Sequence, residues 1–300
     1  MKTKDLLMLW GLAALWGASF LFIRIASPVL GPFVTSFLRV AVGALVLIGY
    51  VRATNLALNV RNNWRAFLVM GLTNAAIPFT LFAIALLSLN ASYSAILNAT
   101  SAFFTALVAA VWIKEPMTGR KVAGIVLGTV GVIVLVGYNP VPLSLSAIFS
   151  VGLILLATFS YGIAAVFAKR ASHGIAPTVF ATGQQLAASV LMLPFALTTL
   201  PNAKPVTLPI MGAVIGVGVL CTAIAYLLYY RLIVNIGPTR ALTVTFLIPV
   251  FGILWGALFL GEAITPNMIV GFVIVVIGML LVLNLLPSRA TPKRWATIGQ

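Results

Sequence analysis

Trp112-Ile113-Lys114-Glu115-Pro116, leading through Thr118-Gly119 to glycines at 124, 128 and 131, is a stretch that this chain uses twice. Its second appearance is Phe259-Leu260-Gly261-Glu262-Ala263, passing through Thr265-Pro266 to Gly271 and Gly278. Glu115 and Glu262 lie 147 residues apart, as do Gly124 and Gly271, and Gly131 and Gly278. Three matches at one offset, each between apolar runs, indicate a duplicated half-protein. Weaker echoes extend the repeat. Trp16-Gly17 aligns with Tyr161-Gly162 and Pro32 with Pro177 at an offset of 145, and Asn90–Ala95 aligns with Ile236–Ala241 at 146.

Composition sets the class. Hydrophobic residues are 62% of the chain, charged residues 7%, and the mean hydropathy is +1.17, far above a soluble domain. The net charge of +15 could suggest nucleic acid. That reading is set aside because the lysines and arginines sit in short gaps between apolar runs, where membrane topology needs them. The single Cys221 excludes a disulfide within the chain and a cysteine-based metal site. No cofactor or metal is expected. The first apolar run begins near Leu6 without a small-residue cleavage site, as a retained helix would.

Ten apolar runs of bilayer-crossing length follow in order: 6–26, 32–51, 65–88, 91–113, 119–138, 147–168, 178–199, 208–233, 238–260 and 267–286. The fold expected is an all-α integral membrane protein of ten transmembrane helices. Residues 6–138 form one five-helix repeat, 147–286 a second, and 287–300 a basic cytoplasmic tail. Five is odd, so the second repeat must enter the membrane inverted. With both termini cytoplasmic, 15 of the 18 lysines and arginines fall on cytoplasmic segments, and only Arg24, Arg39 and Lys204 do not. The expected location is the cell (inner) membrane, and the lipid bilayer is one partner. Inverted halves can open a central site to each side in turn.

Ala14-Leu15-Trp16-Gly17-Ala18-Ser19-Phe20, Phe37-Leu38-Arg39 and the Glu115 turn resemble the EamA-type drug/metabolite transporters. Within that family the chain is most similar to the YddG-like exporters of aromatic and other neutral amino acids. The resemblance spans residues 6–286. It implies a central cavity built by helices 1, 3, 4, 6, 8 and 9, with helices 5 and 10 at the periphery. It also leaves open, as the alternative, a proton-coupled exporter of another small metabolite or drug, because the family includes sugar, nucleobase and drug exporters.

The residues of those cavity helices offer a substrate-binding set. Helix 1 supplies Trp16; helix 3 supplies Asn74, Phe79 and Phe82; helix 4 supplies Asn98 and Ser101; helix 6 supplies Thr158 and Tyr161; helix 8 supplies Tyr226 and Tyr229. Ser94, Asn98, Ser101 and Thr105 share one helical face. Polar residues there either bond a neighbouring helix or line a wet cavity. Trp16 and Tyr161 could also belong to an interfacial belt, but their depth favours the cavity. An aromatic wall with hydroxyls and amides and no acid suits a neutral or aromatic amino acid. Pro78 and Pro249 permit kinks.

Arg39 is expected to cap carbonyls or bridge helices near the outer surface, with a substrate carboxylate as the alternative. The glycine spacings at 124/128, 212/216 and 252/256 allow close helix packing. A monomer is expected, with the 124/128 face open to a dimer. An enzyme is not expected. The three acids (Asp5, Glu115, Glu262) sit near membrane ends, and the one histidine, His173, is in a loop. The lack of a mid-depth carboxylate also argues for an uncoupled facilitator. A scaffold or sensor is the remaining alternative.

Overall fold

A computed structural model describes residues 2–137, 144–199 and 205–285. The basic tail at 287–300 and Lys204 lie outside the described residues. Every regular element among the described residues is a helix. Eight are long and apolar enough to cross a membrane: α1 (Thr3–Leu30), α2 (Pro32–Ala53), α3 (Val60–Ala85), α4 (Ala91–Trp112), α5 (Gly119–Gly137), α6 (Leu145–Ala171), α7 (Pro177–Thr199) and α8 (Leu208–Ile236). Two shorter apolar helices, α9 (Val244–Leu260) and α10 (Pro266–Val282), complete the set. A single helical turn, Pro238–Ala241, precedes α9. The chain is thus a multi-pass membrane protein.

The repeated stretch builds the same turn twice. The Glu115 amide donates to the Ala109 carbonyl at 3.1 Å, and the Glu262 amide donates to the Gly256 carbonyl at 3.1 Å. Both bonds reach back six residues, one more than the usual closure of a helix end, and both follow a left-handed residue. Lys114 (φ 53°) and Gly261 (φ 65°) are those residues. Gly261 adopts that conformation freely, whereas Lys114 holds it with a side chain attached.

The helices that follow these turns pack directly on one another. A Cβ on Gly124 would lie 2.6 Å from the Gly278 carbonyl oxygen, and one on Gly278 would lie 2.6 Å from that of Gly124. Gly131 and Gly271 face each other in the same reciprocal way at 3.0 Å. The early residue of one helix meets the late residue of the other, so α5 and α10 run antiparallel. These glycines therefore serve contacts within the chain, as does Gly128, which receives the Phe103 ring. The face considered for a dimer is occupied.

Other principal packings exchange when the two halves are swapped. α1 packs on α9 as α6 packs on α4, α3 on α6 as α8 on α1, and α2 on α8 as α7 on α3. Gly17 meets Phe251 and Gly252, and its counterpart Gly162 meets Phe104 and Thr105.

Three irregularities depart from simple apolar runs. α3 carries a π-helical segment, Leu72–Ala76, and α8 carries another, Gly216–Ile224. In α3 the cause is Pro78, which has no N–H to return to Asn74 four residues back. In α8 the Thr222 hydroxyl donates to the Val217 carbonyl five residues earlier, at 2.8 Å. α4 is divided between Asn98 and Ser101, where the Thr100 hydroxyl takes the Leu97 carbonyl at 2.7 Å. The face read through Ser94, Asn98, Ser101 and Thr105 is therefore interrupted halfway.

Candidate functional site

Helices α1, α2, α3, α6, α7 and α8 converge on one cluster. From α1, Trp16 sets its ring 5.2 Å from Tyr229 and 6.4 Å from Tyr226, the latter edge-on. Tyr230 continues the group, stacked on Tyr226 at 6.0 Å. Trp16, Tyr226, Tyr229 and Tyr230 are half-buried although they sit among packed helices. These side chains combine apolar rings with polar hydroxyls and an indole N–H.

A second aromatic group lies on the other side. Phe82 stacks on Tyr161 at 6.3 Å and meets Phe20 edge-on at 5.6 Å. Phe79 is buried, and the Arg39 guanidinium lies over its ring, 3.7 Å from the centroid. Between the two groups runs a seam of amides. The Asn74 amide donates to Gln184 Oε1 at 3.2 Å and to the Tyr226 hydroxyl at 3.4 Å. Asn74 sits in the π-helical segment of α3, whose altered register aims it across the bundle. The Ser160 hydroxyl takes the Thr73 carbonyl of the same segment at 2.7 Å.

Seven of the ten expected residues thus come together: Trp16, Asn74, Phe79, Phe82, Tyr161, Tyr226 and Tyr229. Thr158 is fully buried, paired with Thr100 across the α4–α6 contact at 2.9 Å. Asn98 and Ser101 flank the break in α4, half-buried, with no side-chain hydrogen bond or ring contact among the described residues. Sequence reasoning passed over Gln184 and Gln185, which are 1% and 0% exposed. It also placed Arg39 away from the cavity. Arg39 does bridge helices, its Nε in α2 donating to Thr222 Oγ1 of α8 at 3.3 Å, but it does so within electrostatic reach of Tyr161 and Tyr226. Arg39 and Gln184 are counterparts at an offset of 145, a pairing that in the sequence argues against a cavity role for Arg39 because Gln184 is uncharged.

The acids lie elsewhere. Asp5 accepts from Asn235 at 2.9 Å, joining the first turn of α1 to the last turn of α8. Glu262 caps the start of α4: Oε1 accepts the Ala91 amide at 2.7 Å, and Oε2 accepts the Ser92 amide at 2.9 Å and the Ser92 hydroxyl. A carboxylate there meets the positive end of the helix dipole. Glu115 divides its oxygens between Lys121 at 2.7 Å and Lys169 at 3.5 Å. Its bond to Lys121 holds its carboxyl below the ordinary glutamate value of 4.5. Among the described residues, no three His, Cys, Asp or Glu side chains gather where they could hold a metal ion. The two best-formed pockets lie apart from this cluster. One, of ≈ 520 Å³, is an apolar groove between α4 and α6 lined by Leu107, Val111 and Phe159. The other, of ≈ 200 Å³, lies between the α2–α3 and α6–α7 connections.

The EamA-like transporter family matches this chain twice, over residues 3–137 and 148–284. An uncharacterized transporter of Archaeoglobus fulgidus is 27% identical, covering 94% of this chain and 98% of its own length. A probable amino-acid metabolite efflux pump of Escherichia coli is 25% identical over 93% of this chain and 94% of its own. A solved crystal structure, 18% identical, aligns over 95% of this chain and 98% of that chain with a TM-score of 0.66, and shares the fold.

Proposed function

We propose that this chain, which belongs to the EamA-like transporter family, exports aromatic and other neutral amino acids through the cluster around Trp16, Asn74 and Tyr226. The observation that carries this reading is the lining: two aromatic groups joined by amides, with no carboxylate among them. Rings and amides suit a zwitterion with an apolar side chain, while an organic cation would call for a buried acid. The similarity to a probable amino-acid metabolite efflux pump points the same way. Asn98 and Ser101 complete the proposed lining from the α4 side, while Thr158, expected there, is held inside the α4–α6 contact.

The proposed architecture is ten membrane-crossing helices in two inverted repeats, 6–138 and 147–286, in the cell (inner) membrane with both termini cytoplasmic. The turns at 201–209 and 262–266 then face outward. The antiparallel crossing of α5 and α10 supports the inversion, and the concentration of basic residues supports the orientation. Transport proceeds by alternating access. At the outer end Glu262, from the second repeat, latches the start of α4 in the first. At the inner end Glu115, from the first repeat, reaches Lys169 in the second at 3.5 Å. The outer latch is the tighter of the two, which supports reading this state as closed to the outside. Export requires the Glu262 contacts to break.

The cycle is uncoupled. A proton- or ion-driven carrier needs a group whose occupancy biases the two states, and all three acids are engaged at helix ends. Counterflow in proteoliposomes across amino acids, sugars and nucleobases tests the substrate: large neutral amino acids are expected to exchange, and exchange of another class alone would refute it. An imposed pH or sodium gradient should produce no accumulation, and accumulation would refute the facilitator.

A further inference from the structure

We infer that the guanidinium of Arg39 is the anchor for the carboxylate of the transported solute. This rests on the reading that the central cluster is the translocation site. Arg39 is 8% exposed, seven residues inside α2, and a cation at that depth needs an anionic partner or open water. The chain supplies no anion. Its three acidic side chains are Asp5, Glu115 and Glu262, and each is held at a helix end by other groups.

What Arg39 does contact leaves its binding edge free. Nε donates to Thr222 Oγ1 at 3.3 Å, and the guanidinium face lies 3.7 Å from the Phe79 ring centroid. Stacking on one face and a bond through Nε fix the plane of the group. The two Nη groups, with their four N–H bonds, make no hydrogen bond among the described residues. A guanidinium held flat with its paired Nη edge unused matches the fork that a carboxylate takes with two parallel bonds.

A second, independent observation points to the same ligand. Gln184 Nε2 and both polar atoms of Gln185 are buried without a hydrogen bond of good geometry, although both side chains lie beside the Tyr226 hydroxyl. Buried amide groups are rarely left so, since each forfeits its bonds to water. Gln184 is fixed by the bond that its Oε1 accepts from Asn74, and Asn74 also donates to Tyr226, which lies within electrostatic reach of Arg39. The Nε2 groups of Gln184 and Gln185 and the Nη edge of Arg39 thus lie around Tyr226, and each takes an acceptor, whereas Gln185 Oε1 takes a donor such as an ammonium. The aromatic group around Trp16 and Tyr229 lies at the other end of that seam, where a ring or an ammonium would face electron-rich faces. A zwitterion with an aromatic side chain spans the two.

The test uses purified wild-type protein and matched ligands: L-phenylalanine, 3-phenylpropionate, which keeps the carboxylate, and phenethylamine, which lacks it. Displacement of labelled L-phenylalanine should require the carboxylate, with 3-phenylpropionate at least about 10-fold more effective than phenethylamine. In Arg39→Gln that preference should disappear, while Arg39→Lys should retain part of it. If Arg39→Gln does not fold, the wild-type preference and the Arg39→Lys comparison decide the matter. Equal displacement by the two analogues in wild type, or an unchanged preference in either variant, overturns the assignment. The two readings fail separately. If 3-phenylpropionate binds through Arg39 but no amino acid is transported, the anchor stands and the amino-acid reading falls. If L-phenylalanine is transported with no carboxylate preference, the reverse holds.

Discussion

Replacing Glu262 with Gln should loosen its contact with the start of α4, which the proposed orientation puts at the outer end, without dismantling the bundle. Glu262 accepts two backbone amides at the start of α4, at 2.7 and 2.9 Å, together with the Ser92 hydroxyl. Glutamine keeps one acceptor but turns an NH₂ towards donors and removes the charge from the helix end. A hydrogen bond to a charged group contributes about 1.5–3 kcal/mol, and charge at a helix terminus adds about 0.3–1 kcal/mol. The loss should therefore be about 2–4 kcal/mol in the closed state. Because about 1.4 kcal/mol is tenfold in an equilibrium, the outward-open population should rise about 30- to 700-fold. The assay is labelling of Asn98→Cys by a membrane-impermeant thiol reagent added outside, with the buried native cysteine removed as Cys221→Ala. Glu262→Gln should accelerate labelling by that factor, and Glu262→Asp by less. If thermal stability falls and labelling does not change, the carboxylate is only a helix cap and the latch reasoning is wrong.

The glycine crossing makes a separate prediction. Gly124→Leu pushes a side chain against the Gly278 backbone, where even a Cβ would sit 2.6 Å from oxygen, so it should cost about 1–3 kcal/mol or more. A lowered melting temperature of the purified protein checks this, and an unchanged one would contradict the close contact. Glu115 makes a pH-dependent contribution. Its folded-state pKa is depressed by Lys121, so the stabilisation is present above the ordinary value of 4.5 and fades as pH falls through the folded value. Glu115→Gln should be less stable than wild type at pH 7, and the difference should shrink in melting curves taken below pH 4.5. A gap that stays constant across that range would refute the assignment.

The turn and the glycine crossing were legible because each makes a strict demand on residue type. A left-handed residue and a following glutamate close α4 and α9, and only glycine lets α5 and α10 backbones approach. An offset of 147 residues could therefore be read without coordinates. The π-helical segments were not legible. A shift from four-residue to five-residue bonding has no compositional mark, and only Pro78 hinted at it. The positions of Arg39, Gln184 and Gln185 were hidden for a related reason. When a helix is apolar on all sides, its polar residues do not announce which side faces inward. Two adjacent amides stand in the middle of α7, but the repeat sets the uncharged Gln184 against Arg39, which argues against a cavity role for Arg39. Seven of the proposed lining residues, read from ring-bearing and amide positions of helices 1, 3, 6 and 8, are ones that the fold brings together. Asn98 and Ser101 kept their depth, but the break in α4 interrupts the face on which they were read.

The most direct measurement is efflux of labelled L-phenylalanine from proteoliposomes loaded with it, comparing wild type with Tyr226→Ala. Tyr226 touches Trp16, Asn74 and Tyr230, so it joins the aromatic group to the amide seam. The account predicts saturable wild-type efflux down the gradient and a decrease of at least about tenfold in the variant, with its chromatographic profile retained. Wild-type efflux no faster than from protein-free liposomes, or an undiminished rate in Tyr226→Ala, would contradict it.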